Sequence, residues 1–181
     1  MIRTHLLALA VAVALLLAAP RAHAALDVFL QIPDAPGEST DVGPAGNHRD
    51  WNEAFAYTES VSTKSFTVTI PLSRSYPKLL PFATSGQVFK AWTLHMARAG
   101  GDRSLFLSIV FEGVRISTLT LGGNAKSAEA IPTVQVLFTC ERATWSYTQR
   151  NAAGGVAGVV SSTVEFRGTV ASPSVPFPAI R

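Results

Sequence analysis

The chain has 181 residues, with 15 Lys and Arg against 12 Asp and Glu, a formal net charge of +3 and 48% hydrophobic residues. That length suits one domain with a sizeable core. No basic block of the kind that attracts nucleic acid or an acidic membrane is present, and a single cysteine excludes an internal disulfide.

The first residues read apart from the rest. Met1 to His5 is short and basic, Leu6 to Ala19 is an unbroken apolar run, and Ala22-His23-Ala24 is a small-x-small cleavage signal. This layout predicts a secretory signal peptide over 1–24, cut between Ala24 and Ala25. The apolar run is short of the roughly 20 residues a spanning helix needs. Removing the leader leaves 157 residues, with 13 basic facing 12 acidic. The mature protein is expected in the periplasm or outside the cell, with no stable membrane span. A domain is expected over 25–170.

Leu26, Val28, Leu30 and Ile32 alternate with Asp27, Phe29 and Gln31, which predicts a first strand. Pro33 to Gly37 is turn chemistry. Glu38 to Arg49 has little apolar content and predicts a surface loop. Trp51, Ala54, Phe55 and Tyr57 mark a second, irregular strand, and Phe66-Thr67-Val68-Thr69-Ile70 is a clean third. In Pro71 to Thr84, Leu72, Tyr76, Leu79, Leu80 and Ala83 recur at spacings of three and four, which predicts a short or kinked helix. Ser73 or Ser75 could cap it, Pro77 suits a first turn, and Pro81 is awkward in an interior.

Trp92 to Met96 alternates again, and Ala99-Gly100-Gly101-Asp102 breaks the pattern as a hairpin turn. Leu105, Leu107, Ile109 and Phe111 resume it. Gly113 then predicts a bend or bulge before Val114, Ile116 and Leu119. Gly122 to Ala130 reads as a loop, Pro132 to Gln149 as one long β run, Asn151 to Gly158 as a turn and Val159 to Val170 as the last strand. Pro173, Pro176 and Pro178 forbid regular structure in 171–181, which is expected to be an extended tail. About eight strands and one short helix predict a mainly β fold, an antiparallel barrel or sandwich.

Reaction chemistry is sparse. His48 and His95 lie far apart in sequence, without metal-ligand spacing. There is no nucleophile elbow, phosphate loop or dinucleotide fingerprint. Asp34, Glu38, Asp41 and Asp50 fall in turns and loops, where carboxylates are ordinarily solvated. Glu112 and Arg115 flank the bend and suit strand pairing. Trp51, Trp92 and Trp145 suit a core, or else a sugar-stacking face. Cys140 reads as a small buried hydrophobe. No catalytic, cofactor-binding or metal residues are predicted, and no nucleic-acid partner.

Taken together, several stretches resemble one family. Asp27-Val28-Phe29-Leu30-Gln31-Ile32 followed by Gly37-Glu38-Ser39 resembles the start of the Hcp family, the tube protein of the bacterial type VI secretion system. Phe66-Thr67-Val68 with Tyr76-Pro77-Lys78-Leu79 resembles its strand leading into its single helix. Trp92-Thr93-Leu94 to Ala99-Gly100-Gly101 resembles its central hairpin. Val114 to Leu119 and Val134 to Phe138 with Trp145-Ser146-Tyr147 resemble its later strands. The order holds from about Leu26 to Gly168. The resemblance implies an antiparallel β-barrel of about eight strands flanked by one helix, and a non-enzymatic protein. It also implies hexameric rings that stack into a tube, and other type VI secretion components as partners. Two features depart from it: the leader, and the short Tyr57–Thr63 segment where the family often carries a long Gly- and His-rich loop. They suit an exported, effector-type variant. A β-sandwich binding module for a carbohydrate or an adhesion partner is the alternative, and an exposed coplanar tryptophan pair would mark it.

Overall fold

The computed structural model describes residues 26–99, 103–123, 131–151 and 153–166. The leader at 1–24, the turn glycines Gly100 and Gly101, residues 124–130 of the predicted loop and the tail at 171–181 lie outside the described residues. Among the described residues there are eleven strands and one helix. They are β1 (Leu26–Gln31), β2 (Val42–Gly43), β3 (Gly46–Asn47), β4 (Asn52–Ala54), β5 (Ala56–Ser60), β6 (Ser65–Pro71), α1 (Tyr76–Ser85), β7 (Phe89–Arg98), β8 (Leu105–Gly122), β9 (Thr133–Thr139), β10 (Arg142–Arg150) and β11 (Val156–Glu165). The excess over eight comes from the two-residue pair β2–β3 and from β4 and β5, which only Phe55 separates.

Alternation in the sequence sets the pairing. Phe66, Val68 and Ile70 of β6 stand directly opposite Phe138, Val136 and Val134 of β9. All six are fully or almost fully buried. A slip of either strand by one residue would turn its three outward, so burial pins the register. Leu94 of β7 is likewise opposite Leu30 of β1 on one side and Ile109 of β8 on the other. Every pairing is antiparallel, in the ladder β4-β1-β7-β8-β9-β6-β5. The ladder has no β4–β5 rung. The chain itself joins its two ends through Phe55, whose N–H donates to Thr69 O on β6 at 2.8 Å.

The interior is aromatic. Phe138 touches Phe111, Trp92 and Phe66 at ring centroid distances of 5.1, 4.9 and 5.5 Å. Phe89 continues the stack to Phe82 of α1 at 4.1 Å. Edge-on and tilted pairs of this kind contribute about 0.5–1.5 kcal/mol each beyond their burial. Leu79 of α1 is fully buried. The helix starts with Pro77 in its first turn and stops at Gly86, which is left-handed with φ 66°. It runs on through Pro81, whose missing N–H would have bonded back to the first turn, at Pro77.

β8 is one strand of 18 residues that serves two sets of partners. Leu107 to Glu112 pair with β10, and Arg115 to Gly122 with β9. The change of partner falls at Gly113, whose φ is +64°. The single β run expected over Pro132–Gln149 is therefore two strands. The chain leaves β9 after Thr139, passes Cys140 and Glu141, and rejoins the first half of β8 as β10. Glu141 N–H donates to Glu112 O at 2.9 Å across this step. Cys140 is a buried free thiol in the core, and burial pushes its pKa up to about 12.

A Cβ at Gly113 would lie 2.6 Å from Glu141 Cγ, on a backbone that already disfavours one. Gly122 has open space around it. Gly113→Ala should lower stability by about 1–3 kcal/mol, and Gly122→Ala should shift it by less than about 0.5 kcal/mol. Urea unfolding of the two variants checks this.

Candidate functional site

In β1, Val28 and Leu30 point into the barrel, so Phe29 points out. Phe29 is nonetheless 3% exposed. The cover is the segment from Gly37 to Trp51, the expected surface loop, which folds back over the outer face of β1 and β7 as a clasp. Its own bonds shape it: Gly37 N–H to Asp50 O at 2.8 Å, Asp50 N–H to Ser39 O at 2.8 Å, and His48 N–H to Asp41 O at 2.9 Å. Gly37 has no room for a side chain, because a Cβ there would meet Trp51 O at 2.4 Å. Arg74, just before α1, ties down the clasp's base. Its Nε donates to Gly37 O at 2.7 Å, its backbone N–H to Glu38 Oε1 at 3.0 Å, and its guanidinium pairs with Asp50.

The tip of the clasp carries a buried polar chain. His48 is fully buried and stacks flat on Phe29, with ring centroids 4.1 Å apart. Its Nδ1 lies 2.9 Å from Asp41 Oδ2 and its Nε2 lies 3.0 Å from His95 Nδ1. Trp51 packs against both imidazoles, at 4.9 Å and 4.8 Å. Arg103, just ahead of β8, closes the chain on the other side, 2.7 Å from Asp41 Oδ1 and 3.3 Å from Asp27 Oδ2. A carboxylate only accepts, so His48 Nδ1 carries a proton. Burial, and secondarily the neighbouring His48, push the His95 pKa down to about 4.

Several sequence expectations change here. His48 and His95, distant in sequence, are in contact. Asp41 is not a solvated loop carboxylate but a partner of His48 and Arg103. Glu38 and Asp50 serve Arg74. Glu112 pairs with Arg142 at 2.6 Å, and Arg142 also reaches Glu165 at 2.5 Å. Arg115 donates to Gly86 O, fastening the end of α1 to β8. Asp34 has no role in this cluster.

Trp92 is fully buried and Trp51 is 9% exposed. Trp145 is half-buried against the core, with its indole N–H donating to Glu59 Oε2 at 3.0 Å. These positions leave no coplanar tryptophan platform for sugar stacking, which disfavours the binding-module alternative. Among the described residues, no three His, Cys, Asp or Glu side chains gather as a metal site. No helix among them is long and apolar enough to cross a membrane.

His48→Ala removes a buried ring and leaves Asp41 and His95 each short of a partner. It should cost about 2–4 kcal/mol, read from urea unfolding.

The clasp and barrel can be set beside known proteins. No curated protein sequence matches the chain. Among solved structures, Hcp1 from Salmonella typhimurium is 21% identical with a TM-score of 0.67, the match covering 78% of this chain and 95% of that one. A type VI secretion system effector from Yersinia pestis is 21% identical with a TM-score of 0.63, covering 77% and 99%. The secreted protein Hcp3 from Pseudomonas aeruginosa is 18% identical with a TM-score of 0.59, covering 80% and 100%. At these identities the likeness is one of fold. The family model described as "Type VI secretion system effector, Hcp" matches residues 29–147, from Phe29 under the clasp to Tyr147 in β10. The chain belongs to the Hcp family of type VI secretion system effectors.

Proposed function

We propose that this Hcp-family protein is a structural, effector-type component of the type VI secretion system. It works by assembling with copies of itself into a hexameric ring, without catalysis, and it meets the other components of that system as a ring. Family membership and fold support the setting. One observation carries self-assembly: the free edge of β11.

β11 pairs with β10 alone, so its outer edge is unpaired among the described residues. Over its ten residues the only charge is Glu165, at the end. Val156, Val159 and Val160 are each more than half exposed. The strand holds no Lys or Pro, and its one irregularity is at its start, where Ala157 is skipped in the pairing with Gln149 and Arg150; beyond it the edge is regular and templates pairing with another chain. The hairpin it belongs to carries cross-strand hydroxyl pairs. Ser146 and Ser161 hydroxyls meet at 2.9 Å, and Thr144 and Thr163 at 3.0 Å. An edge that meets a different surface of the next copy gives a head-to-tail contact, which builds a ring when the rotation between copies closes and an open filament when it does not.

The leader read at 1–24 supports export, to the periplasm or beyond, before assembly. The short β5–β6 connection and this leader fit a secreted member of the family.

The solution mass tests the reading. Purified protein should run at six protomer masses in light scattering, and a strict monomer overturns the ring. Val160→Lys, at a site exposed in the protomer, should shift the mass to the monomer with an unchanged circular dichroism spectrum. A reporter fused to residues 1–24 should be exported and shortened. Retention at full length in the cytoplasm overturns the export reading.

A further inference from the structure

The clasp has two ends that are held differently. Its base is fastened by Arg74 through Gly37 O, Glu38 and Asp50. Its tip, from Asp41 to His48, reaches the sheet among the described residues through two polar contacts: His48 to His95, and Asp41 to Arg103. The first of these depends on how many protons the two imidazoles share. With none added, His48 Nε2 accepts and His95 Nδ1 donates. With one added, His48 donates from both nitrogens, to Asp41 and to His95. Both hydrogen bonds survive either state. With two added, an N–H on each ring faces the other across 3.0 Å, and neither can accept.

We propose that the tip of the clasp is an acid-operated latch, closed while the His48–His95 pair holds at most one extra proton and released by the second. The groups around the pair are consistent with this count. From the clasp, Asp41 Oδ2 lies 2.9 Å from His48 Nδ1 and accepts its hydrogen bond. From the segment before β8, Arg103 balances that carboxylate and Asp27 of β1. From β4, Glu53 is engaged by the Ser39 hydroxyl at 3.0 Å. From β8, Ser108 stands opposite His95 and brings no charge. The neighbours Phe29 and Trp51 are aromatic. Among the described residues, no second carboxylate is paired with the imidazoles to offset a second charge. His95 is only half-buried.

The sign follows from the closed state holding His95 near 4, below its ordinary 6.5. The open state binds the proton first. Closure is therefore weakened as pH falls from about 6.5, and the effect levels off below about 4. The gap allows the opening constant to rise by up to roughly 300-fold across that window.

Amide hydrogen exchange followed by NMR on the full chain, corrected for the intrinsic pH dependence of exchange, tests the latch. Native protein should lose protection at residues 41–48 between pH 6.5 and 4, by up to about that factor, while β6 and β9 keep theirs. His95→Gln should keep the tip protected throughout, because the amide side chain offers both a donor and an acceptor and takes no proton. Three outcomes overturn the proposal: native protection at 41–48 that persists at pH 4, loss of it together with β6 and β9, or equal loss in His95→Gln. If the variant does not fold, the native titration decides, since local loss at 41–48 supports the latch and either other native result rejects it.

Discussion

An eighteen-residue strand would run roughly 60 Å if straight, far beyond the barrel it belongs to. β8 stays within the fold because Gly113 lets it turn, and the turn divides its partners. Ahead of it, β8 pairs with β7 and β10. Beyond it, β8 pairs chiefly with β9. The two halves of the ladder are thus one covalent object. Phe111 on one side of the bend and Ile116 on the other belong to the same core, and Phe138 is ringed by residues from both halves. Loss of the bend would not remove a contact. It would separate two sets of strands that share one interior.

The clasp obeys a second constraint, local to the outer face. An aromatic ring at Phe29 faces away from the core and has to be covered. The cover is almost all polar in sequence, so its own buried groups had to be satisfied internally. That explains why the polar chain from Asp27 through Arg103, Asp41 and His48 ends on His95 without a gap. Burial of His48 on Phe29 and the hydrogen bonds at both its nitrogens are one arrangement, not two.

What could be read without coordinates was whatever depends on period alone. Phe66 to Ile70 and Val134 to Phe138 alternate cleanly, and they pair residue for residue. The helix and its proline start were equally visible, as was the order of motifs that resembles the Hcp family. The break at Cys140–Glu141 was not, because nothing local demands it. No glycine or proline stands there, and the cause is Gly113 in another strand. The clasp was hidden for a different reason. Glu38 to Arg49 has the composition of a solvated loop, and 47 residues separate its histidine from the one it meets. One signal was available: Phe29 occupies the polar phase of an alternating strand, and an aromatic there calls for a lid.

The position of β11 in the chain has a consequence of timing. Every strand of the barrel ladder precedes β10 and β11 in sequence. A polypeptide that emerges with its N-terminus first can pair the ladder strands, and then lay β10 on β8, before the outer edge of β11 exists. This exposed edge is thus the last one made. It forms once the strands it rests on are in place, and Val164 at its end and Phe166 just beyond it then join a core that the earlier strands have built.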